Sequence, residues 1–285
     1  MVDSKDGITQ LVKSLATDEV QYKLPALNTP YPTLYLPHKQ LAFHLIPIPT
    51  YSIELDQQYT LQNLSLEARK LNIRFINIFE DFYIIKKEVV MQRISAILGV
   101  FTSIRARNTS VSRIDKRALD DFLHTNNLYS SPTARYKYGL FYKDRLVAAA
   151  SFSAGRPIQR NGKTYRSFEL VRFANLAGYI VVGGVGKLLK RFIQEVKPDD
   201  IMSYADLDWS SGASYEKLGF QLIGITPPQE FWINPDEKIR YYPHKLPQKL
   251  TDKSNKYEIP IEEILEEERY FRFFNSGNLK YLLLP

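Results

Sequence analysis

From Tyr138 to Phe220 strand-type and helix-type patterns alternate, and this alternation limits the fold more than any other feature of the chain. Tyr138-Gly-Leu-Phe-Tyr-Lys-Asp-Arg-Leu-Val-Ala-Ala-Ala-Ser-Phe152 reads as two β-type runs around a Lys143-Asp144 turn. A strand from Phe168 to Phe173 follows, then a glycine-rich connection, a helix from Lys187 to Val196, a strand from Asp200 to Ala205 and a short helix ending at Gly219. Strands joined by crossover helices point to an α/β fold.

The first half carries a second, smaller pattern. Thr33-Leu-Tyr-Leu-Pro37 and Gln40-Leu-Ala-Phe-His-Leu-Ile46 are apolar runs around the turn-like Pro37-His-Lys39, a hairpin signal. Thr60 to Leu71 has helical spacing at Leu61, Leu64, Ala68 and Leu71, and Ile73 to Phe79 alternates like a half-buried strand. Asp81 to Leu98 reads as one helix stopped by Gly99. The domain reading is therefore an arm over 1–30, with a short helix around Ile8 to Leu15, a first domain over 31–100, and a second over 101–235. A tail over 236–285 has an acidic run from Glu262 to Glu268, read as a solvated helix face, and a terminal β-hairpin around Ser276-Gly277-Asn278. No internal repeat is visible.

Composition narrows the chemistry. The 285 residues include no cysteine, and the four histidines (His38, His44, His124, His244) lack metal-ligand spacing, so no metal is expected. No run of 18 apolar residues suggests a membrane span, and the charged Met1 to Lys13 segment does not read as a signal peptide, which predicts a cytoplasmic protein. A net charge of +7 favours an anionic partner, because Lys and Arg gain from phosphate contacts through counterion release.

Through Thr33-Leu-Tyr-Leu-Pro37, Leu41-Ala-Phe-His44, Tyr59-Thr-Leu-Gln-Asn63, Asn72-Ile-Arg-Phe-Ile-Asn-Ile-Phe-Glu-Asp81 and Ile104-Arg-Ala-Arg107, the chain resembles phage-type homing endonucleases. These have a very-short-patch-repair-like PD-(D/E)xK nuclease frame. The resemblance implies acidic residues where Thr33 and His44 stand, an Asn at Ile46, and a His and a Lys at Thr60 and Asn63. A hydroxyl and an imidazole are poor Mg²⁺ ligands where carboxylates are needed, so the frame reads as degenerate and its nuclease chemistry as lost. Glu54, Asp56, Glu80 and Asp81 are acids that could rebuild a metal site; Glu80 and Asp81 read instead as caps of the next helix.

Glu169-Leu-Val-Arg172, Val182-Gly-Gly-Val-Gly-Lys-Leu-Leu189, Ser203-Tyr-Ala-Asp206 and Ser214-Tyr-Glu-Lys-Leu-Gly-Phe220 look like the GNAT acyltransferase superfamily, and especially its Mom-type members, which modify adenine in DNA. The fold class implied is α/β, a degenerate restriction-endonuclease-like domain followed by a GNAT-like domain. The resemblance implies that Gly184, Val185, Gly186 and Lys187 cradle the pyrophosphate of acetyl-CoA or a related acyl donor at a helix N-terminus. Val181 stands where a basic residue or Gln usually precedes the glycines, and three glycines in such a turn equally suit tight packing. Tyr215 matches a tyrosine that protonates a leaving thiolate, or else packs a short helix. Asp206, at the end of an apolar strand, is a candidate acid–base residue or a cap of the following turn. Glu169 and Arg172 join it as an acid–base or substrate-orienting cluster, or form a buried ion pair.

Arg105, Arg107, Arg156, Arg160, Lys163 and Arg166 form the candidate nucleic-acid surface, with Tyr165 available to stack and Arg240-Tyr-Tyr-Pro-His-Lys245 as a second basic, aromatic patch. The leading expectation is a DNA-associated GNAT-like transferase of phage or mobile-element type, acting on a nucleobase or another amine. In that case its setting is the host cytoplasm. The alternatives are a non-catalytic nucleic-acid-binding or structural protein and an active homing endonuclease.

Overall fold

The computed structural model describes residues 4–17, 19–48, 58–160 and 162–285. Glu54 and Asp56 lie outside them. In chain order the first part is α1 (Ser4–Leu15), β1 (Thr33–Leu36), β2 (Leu41–Ile46), α2 (Thr60–Lys70), β3 (Arg74–Phe79), α3 (Glu80–Ile85), α4 (Lys87–Leu98), β4 (Thr102–Arg105), β5 (Ser110–Arg113) and α5 (Lys116–Asn126). Then come β6 (Tyr136–Tyr142), β7 (Arg145–Phe152), β8 (Arg156–Arg160), β9 (Lys163–Asn175), β10 (Tyr179–Val182), α6 (Gly184–Val196), β11 (Asp200–Asp206), α7 (Ala213–Lys217) and β12 (Gln221–Ile225). The chain closes with β13 (Glu230–Ile233), β14 (Arg240–Tyr241), α8 (Gln248–Tyr257), α9 (Ile261–Glu267), β15 (Phe271–Phe274) and β16 (Asn278–Leu283). The topology is mixed α/β.

Contacts gather these elements into two compact units, each assembled from separate stretches of chain. Unit 1 comprises Met1–Lys87, Asp206–Ser211 and Ile225–Asn278; unit 2 comprises Glu88–Ala205, Gly212–Gly224 and Leu279–Pro285.

In unit 1, β2 is the centre of a three-stranded sheet, antiparallel to β1 and parallel to β3. Both of its faces are covered, so all six residues of Leu41–Ile46 are buried. β3 departs from the half-buried pattern read in the sequence: Phe75 to Phe79 are buried without alternation, because packed elements cover both faces. A second sheet runs β14-β13-β15, and its Phe231, Ile233 and Phe273 pack with Ile46, Leu61 and Phe79. In the stretch read as an arm, Ile8 and Val12 of α1 and Leu24 are buried. The fold also breaks the helix expected over Asp81 to Leu98. Asp81 and Tyr83 are the buried residues of α3, whereas Val89, Val90, Ile94 and Leu98 are buried in α4, and the chain leaves helical geometry at Lys86 to reset the face.

In unit 2 a sheet of eight strands runs β12-β16-β11-β9-β7-β6-β5, with β8 attached to β9. α6 turns Leu188, Leu189 and Phe192 inward; Phe192 stacks on Phe152 at 4.0 Å between ring centroids and meets Tyr138 and Phe168 edge-on. Asp115 caps α5 by accepting the Ala118 N–H at 2.8 Å, and Leu119, Phe122 and Leu123 bury its apolar side. β4 and β10 form a separate parallel pair.

The terminal hairpin does not form. Both strands are present, but β15 pairs with β13 while β16 joins the large sheet. The connection is pinned: Asn275 Oδ1 accepts the N–H groups of Gln229 and Gly277, and the Ser276 carbonyl accepts from Gln62.

Candidate active site

The site in unit 2 begins with an irregularity in β9. Ser151 of β7 lies opposite Arg172, yet Phe152 lies opposite Leu170, so Val171 is an extra residue, a β-bulge. Side chains three apart on a regular strand point to opposite faces; one extra residue between them restores a common face. The bulge thereby brings Glu169 and Arg172 to the same side. It also marks where the parallel partner leaves: β9 and β11 pair from Ser167/Asp200 to Leu170/Ser203 and no further, although both strands run on. Two parallel strands that part in this way leave backbone groups open at the carboxyl end of the sheet, the usual place for a ligand in open α/β sheets.

Ser203 lies at the fork. Its Oγ is 3.0 Å from the Leu170 carbonyl and 3.0 Å from the Tyr215 hydroxyl. A serine has one proton to give; donating it to the carbonyl leaves Oγ to accept from Tyr215. The Tyr215 ring stacks on Tyr281 at 5.2 Å and meets Phe220 edge-on. Burial raises the Tyr215 pKa, against lowering by Ser203 and Arg172, so the phenol keeps its proton near neutrality. Burial also raises the pKa of Glu169, against the pull of Arg156 and Arg172. Arg172 donates to the Val171 carbonyl at 2.9 Å and lies over the Tyr129 ring at 5.4 Å, while its Nε is buried without a hydrogen-bond partner. Glu169, Arg172 and Tyr215 therefore act on one another electrostatically, whereas the sequence reading groups Glu169 and Arg172 with Asp206. Ser203 and the bulge are the parts that sequence reading missed; a small polar residue inside the apolar run Ile201 to Ala205 was the available signal.

α6 starts earlier than its expected Lys187, at Gly184, after Gly183 with φ +80. That left-handed geometry is strained for other residues. No side chain caps the first-turn N–H groups of Gly184, Val185 and Gly186. A Cβ on Gly186 would come within 3.2 Å of Leu218, just past α7, so the α6 start and the Tyr215 helix adjoin. Lys187 is committed elsewhere: its Nζ donates to the carbonyls of Ala106 (2.9 Å) and Thr109. Two other cations are near in register. Val182, beside Gly183, pairs with Arg105, and both Arg105 and Arg107 are exposed.

Asp206 belongs to unit 1, and its carboxylate accepts the Asp208 N–H at 2.9 Å while its carbonyl accepts from Trp209 and Ser210. It builds the turn. Asp208, unnoticed in the sequence, is 2% exposed and joins a buried polar chain. Asn77 Nδ2 faces Ser65 Oγ (3.0 Å), Ser276 Oγ (2.9 Å) and Asp208 Oδ1 (3.2 Å), and Asn77 Oδ1 accepts from His44 Nδ1 at 2.8 Å. Burial together with Asp206 raises Asp208 to about 7, and burial lowers His44 to about 4. Thr33, also buried, is the direct cross-strand partner of His44. Glu80 and Asp81 lie in the first turn of α3, but their side chains reach out of it: Glu80 accepts the Ile48 N–H at 2.8 Å, and Asp81 takes both arms of the Arg240 guanidinium at 2.9 and 3.0 Å. Arg240, read as part of a surface patch, is thus in a buried pair. Among the described residues no group of three or more His, Asp or Glu could hold a metal.

The expected basic surface is partly spent on structure. Arg160 pairs with buried Asp200, and Arg166 donates to the last carbonyls of α6, Val196 (2.6 Å) and Lys197 (2.7 Å). Arg156 and Lys163 remain exposed on the β8–β9 ribbon. No helix among the described residues is long and apolar enough to cross a membrane.

No protein-family model matches the chain. No curated protein matches it either. Among solved structures it is similar to a histone acetyltransferase HPA2 and related acetyltransferase from Corynebacterium glutamicum ATCC 13032, at 13% identity and a TM-score of 0.36 over 62% of this chain and 97% of that one. A GNAT family acetyltransferase from Elizabethkingia anophelis with acetyl-CoA bound is similar at 14% identity and a TM-score of 0.33, over 62% of this chain and 99% of that one. Eis1 from Mycobacterium abscessus is similar at 14% identity and a TM-score of 0.34 over 44% of this chain, which spans about a third (34%) of the Eis1 chain. Neither these likenesses nor the sheet of unit 1 points to a restriction-endonuclease-like domain.

Proposed function

We propose that unit 2 is a GNAT-like acyl-type transferase acting on an amine. The observation that carries this reading is the fork of β9 and β11, with Glu169, Arg172, Ser203 and Tyr215 gathered around the bulge at Val171. The residues suit an extended, phosphate-ended acyl donor such as acetyl-CoA. Where β9 and β11 stop pairing, past Leu170 and Ser203, an extended ligand can enter as an added strand would. The uncapped N-terminus of α6, with Arg105 beside it in register, favours phosphate. Such a donor supplies the activated acyl group when bound. Glu169, with its carboxylate made more basic by burial, takes the proton of an incoming amine. Tyr215, which stays a phenol, swings its one hydroxyl proton from Ser203 Oγ to where negative charge develops on a departing sulfur. Arg172 orients Glu169. Lys187 holds the turn at Ala106 and Thr109 instead of meeting the donor, and Asp206 shapes the chain after β11.

Calorimetric titration with acetyl-CoA, followed by turnover with a panel of amines, tests the reading. Binding in the micromolar range is expected, with Glu169→Gln and Tyr215→Phe each lowering kcat by ~10²-fold at little change in donor affinity. Absence of donor binding, or turnover untouched by both variants, would overturn it.

A second reading, that the amine belongs to a nucleic acid, is favoured by the β8–β9 ribbon. A two-stranded ribbon fits the major groove of duplex DNA, and this one carries exposed Arg156 and Lys163. Duplex affinity should then fall steeply with salt, and Arg156→Ala with Lys163→Ala should reduce the logarithmic salt slope by about 2. A slope unchanged in the double variant excludes the ribbon.

A further inference from the structure

Unit 2 contains a cavity of about 220 Å³ away from the residues assigned above, framed by α4, the end of α5, the end of β9 and the turn into β10. Its wall is apolar along Val89, Phe101, Phe173 and Ile180. Two of its side-chain amides, Asn127 and Asn175, are fixed so that each turns its donor end free. Asn127 Oδ1 is occupied by the Tyr129 N–H and Asn175 Oδ1 by the Val181 N–H, each at 3.0 Å. Those backbone donors fix which way round each amide lies, since only the oxygen can accept. The two Nδ2 groups are left unbonded, two N–H donors each, held in orientation by the fold. Of the two other amides, Asn126 has both ends committed, to Ala177 N–H and to Phe122 and Thr125, and Gln92 can turn either end inward; the Tyr179 hydroxyl completes the polar side chains. Arg93 is the charged residue among the described lining, which contains no Asp or Glu.

A cavity with two fixed pairs of amide N–H donors, a guanidinium in its lining and an apolar wall is matched by a ligand with two acceptor oxygens, a negative charge and a hydrocarbon body. We propose that this cavity binds a small carboxylate carried on an apolar body, with Asn127 Nδ2, Asn175 Nδ2 and Arg93 around the carboxylate and the Phe101 and Phe173 side chains around the rest. This does not depend on the transferase reading.

The test uses the full chain and two matched probes, 3-phenylpropionate and 3-phenylpropionamide, followed by ¹⁵N-resolved NMR titration. The acid should bind at least ~10-fold more tightly than the amide and perturb the Asn127 and Asn175 side-chain signals. Asn127→Asp and Asn175→Asp keep the oxygen that the backbone N–H needs and replace the donor with a second anionic oxygen. Each should weaken the acid by ~10-fold or more while the spectrum stays that of the folded protein. Arg93→Gln, which leaves both amides intact, should weaken it as well. Equal affinity for acid and amide, undiminished binding in the folded variants, or no binding of the acid at about 10 mM would overturn the proposal.

Discussion

His44 and Asp208 lie at two ends of one hydrogen-bonded chain through Asn77, and burial acts on them in opposite senses. His44 Nε2 has no partner, so a proton there would be an orphan donor, and the imidazole stays neutral down to about pH 4. Asp208 stays protonated up to about pH 7. Between about pH 4 and pH 6.5 the folded pair holds one proton, on Asp208; the unfolded pair also holds one, on the histidine. The two contributions cancel, so the pair gives no pH dependence of stability in that window. Removing either member exposes the other. In His44→Gln the folded state binds the extra proton, and stability should fall by about 1.4 kcal/mol per pH unit as pH rises relative to the wild type. In Asp208→Asn the unfolded state binds it, and stability should rise with pH at about the same slope. Urea unfolding at pH 4.5, 5.5 and 6.5 measures both, and parallel curves for all three proteins would refute the assignment. Neither role was legible in the sequence: Asn77 falls in a run that alternates like a half-buried strand, and only the covered second face of β3 makes its amide an interior group.

At the level of elements, sequence patterns located most helices and strands because apolar spacing is local, and they failed where a distant residue decides. α3 is the clearest case. Its orientation is set by Asp81, 1% exposed in its side chain, which meets Arg240 from a strand 159 positions later, with Phe79, Phe82 and Phe231 around the guanidinium at 4.7, 4.1 and 3.7 Å. No spacing rule reaches that far. Arg240→Ala would strand the Asp81 carboxylate in the interior and should cost about 3 to 5 kcal/mol in chemical unfolding; Arg240→Ala with Asp81→Leu should recover a large part of it. A loss below about 1 kcal/mol would show that water reaches the aspartate. β15 and β16 teach the same point: each strand was visible in its own residues, but the partner of each lies in a sheet the local pattern does not describe.

For the whole molecule, the chain crosses between units after Lys87, around Asp206–Ser211 and again near Ile225 and Asn278. Unit 1 thus lacks its β13–β15 sheet until nearly the entire chain is present. A fragment of residues 1–87 should show no cooperative thermal transition in circular dichroism, and a sharp one would mean that its own sheet suffices. The candidate site shows the same dependence on scale. Glu169, Arg172 and Tyr215 were legible because their chemistry is written in side chains near strand and helix ends; their grouping was not, since it depends on Val171, a residue with no chemistry of its own. That valine gives β9 an odd count. Remove one residue there and the stretch from Arg172 to Asn175 turns over, carrying the guanidinium away from Glu169 and the Asn175 amide out of the carboxylate cavity in the same move. Length at this point is therefore as constrained as identity is elsewhere: the strand tolerates a different residue at 171 far better than it tolerates none.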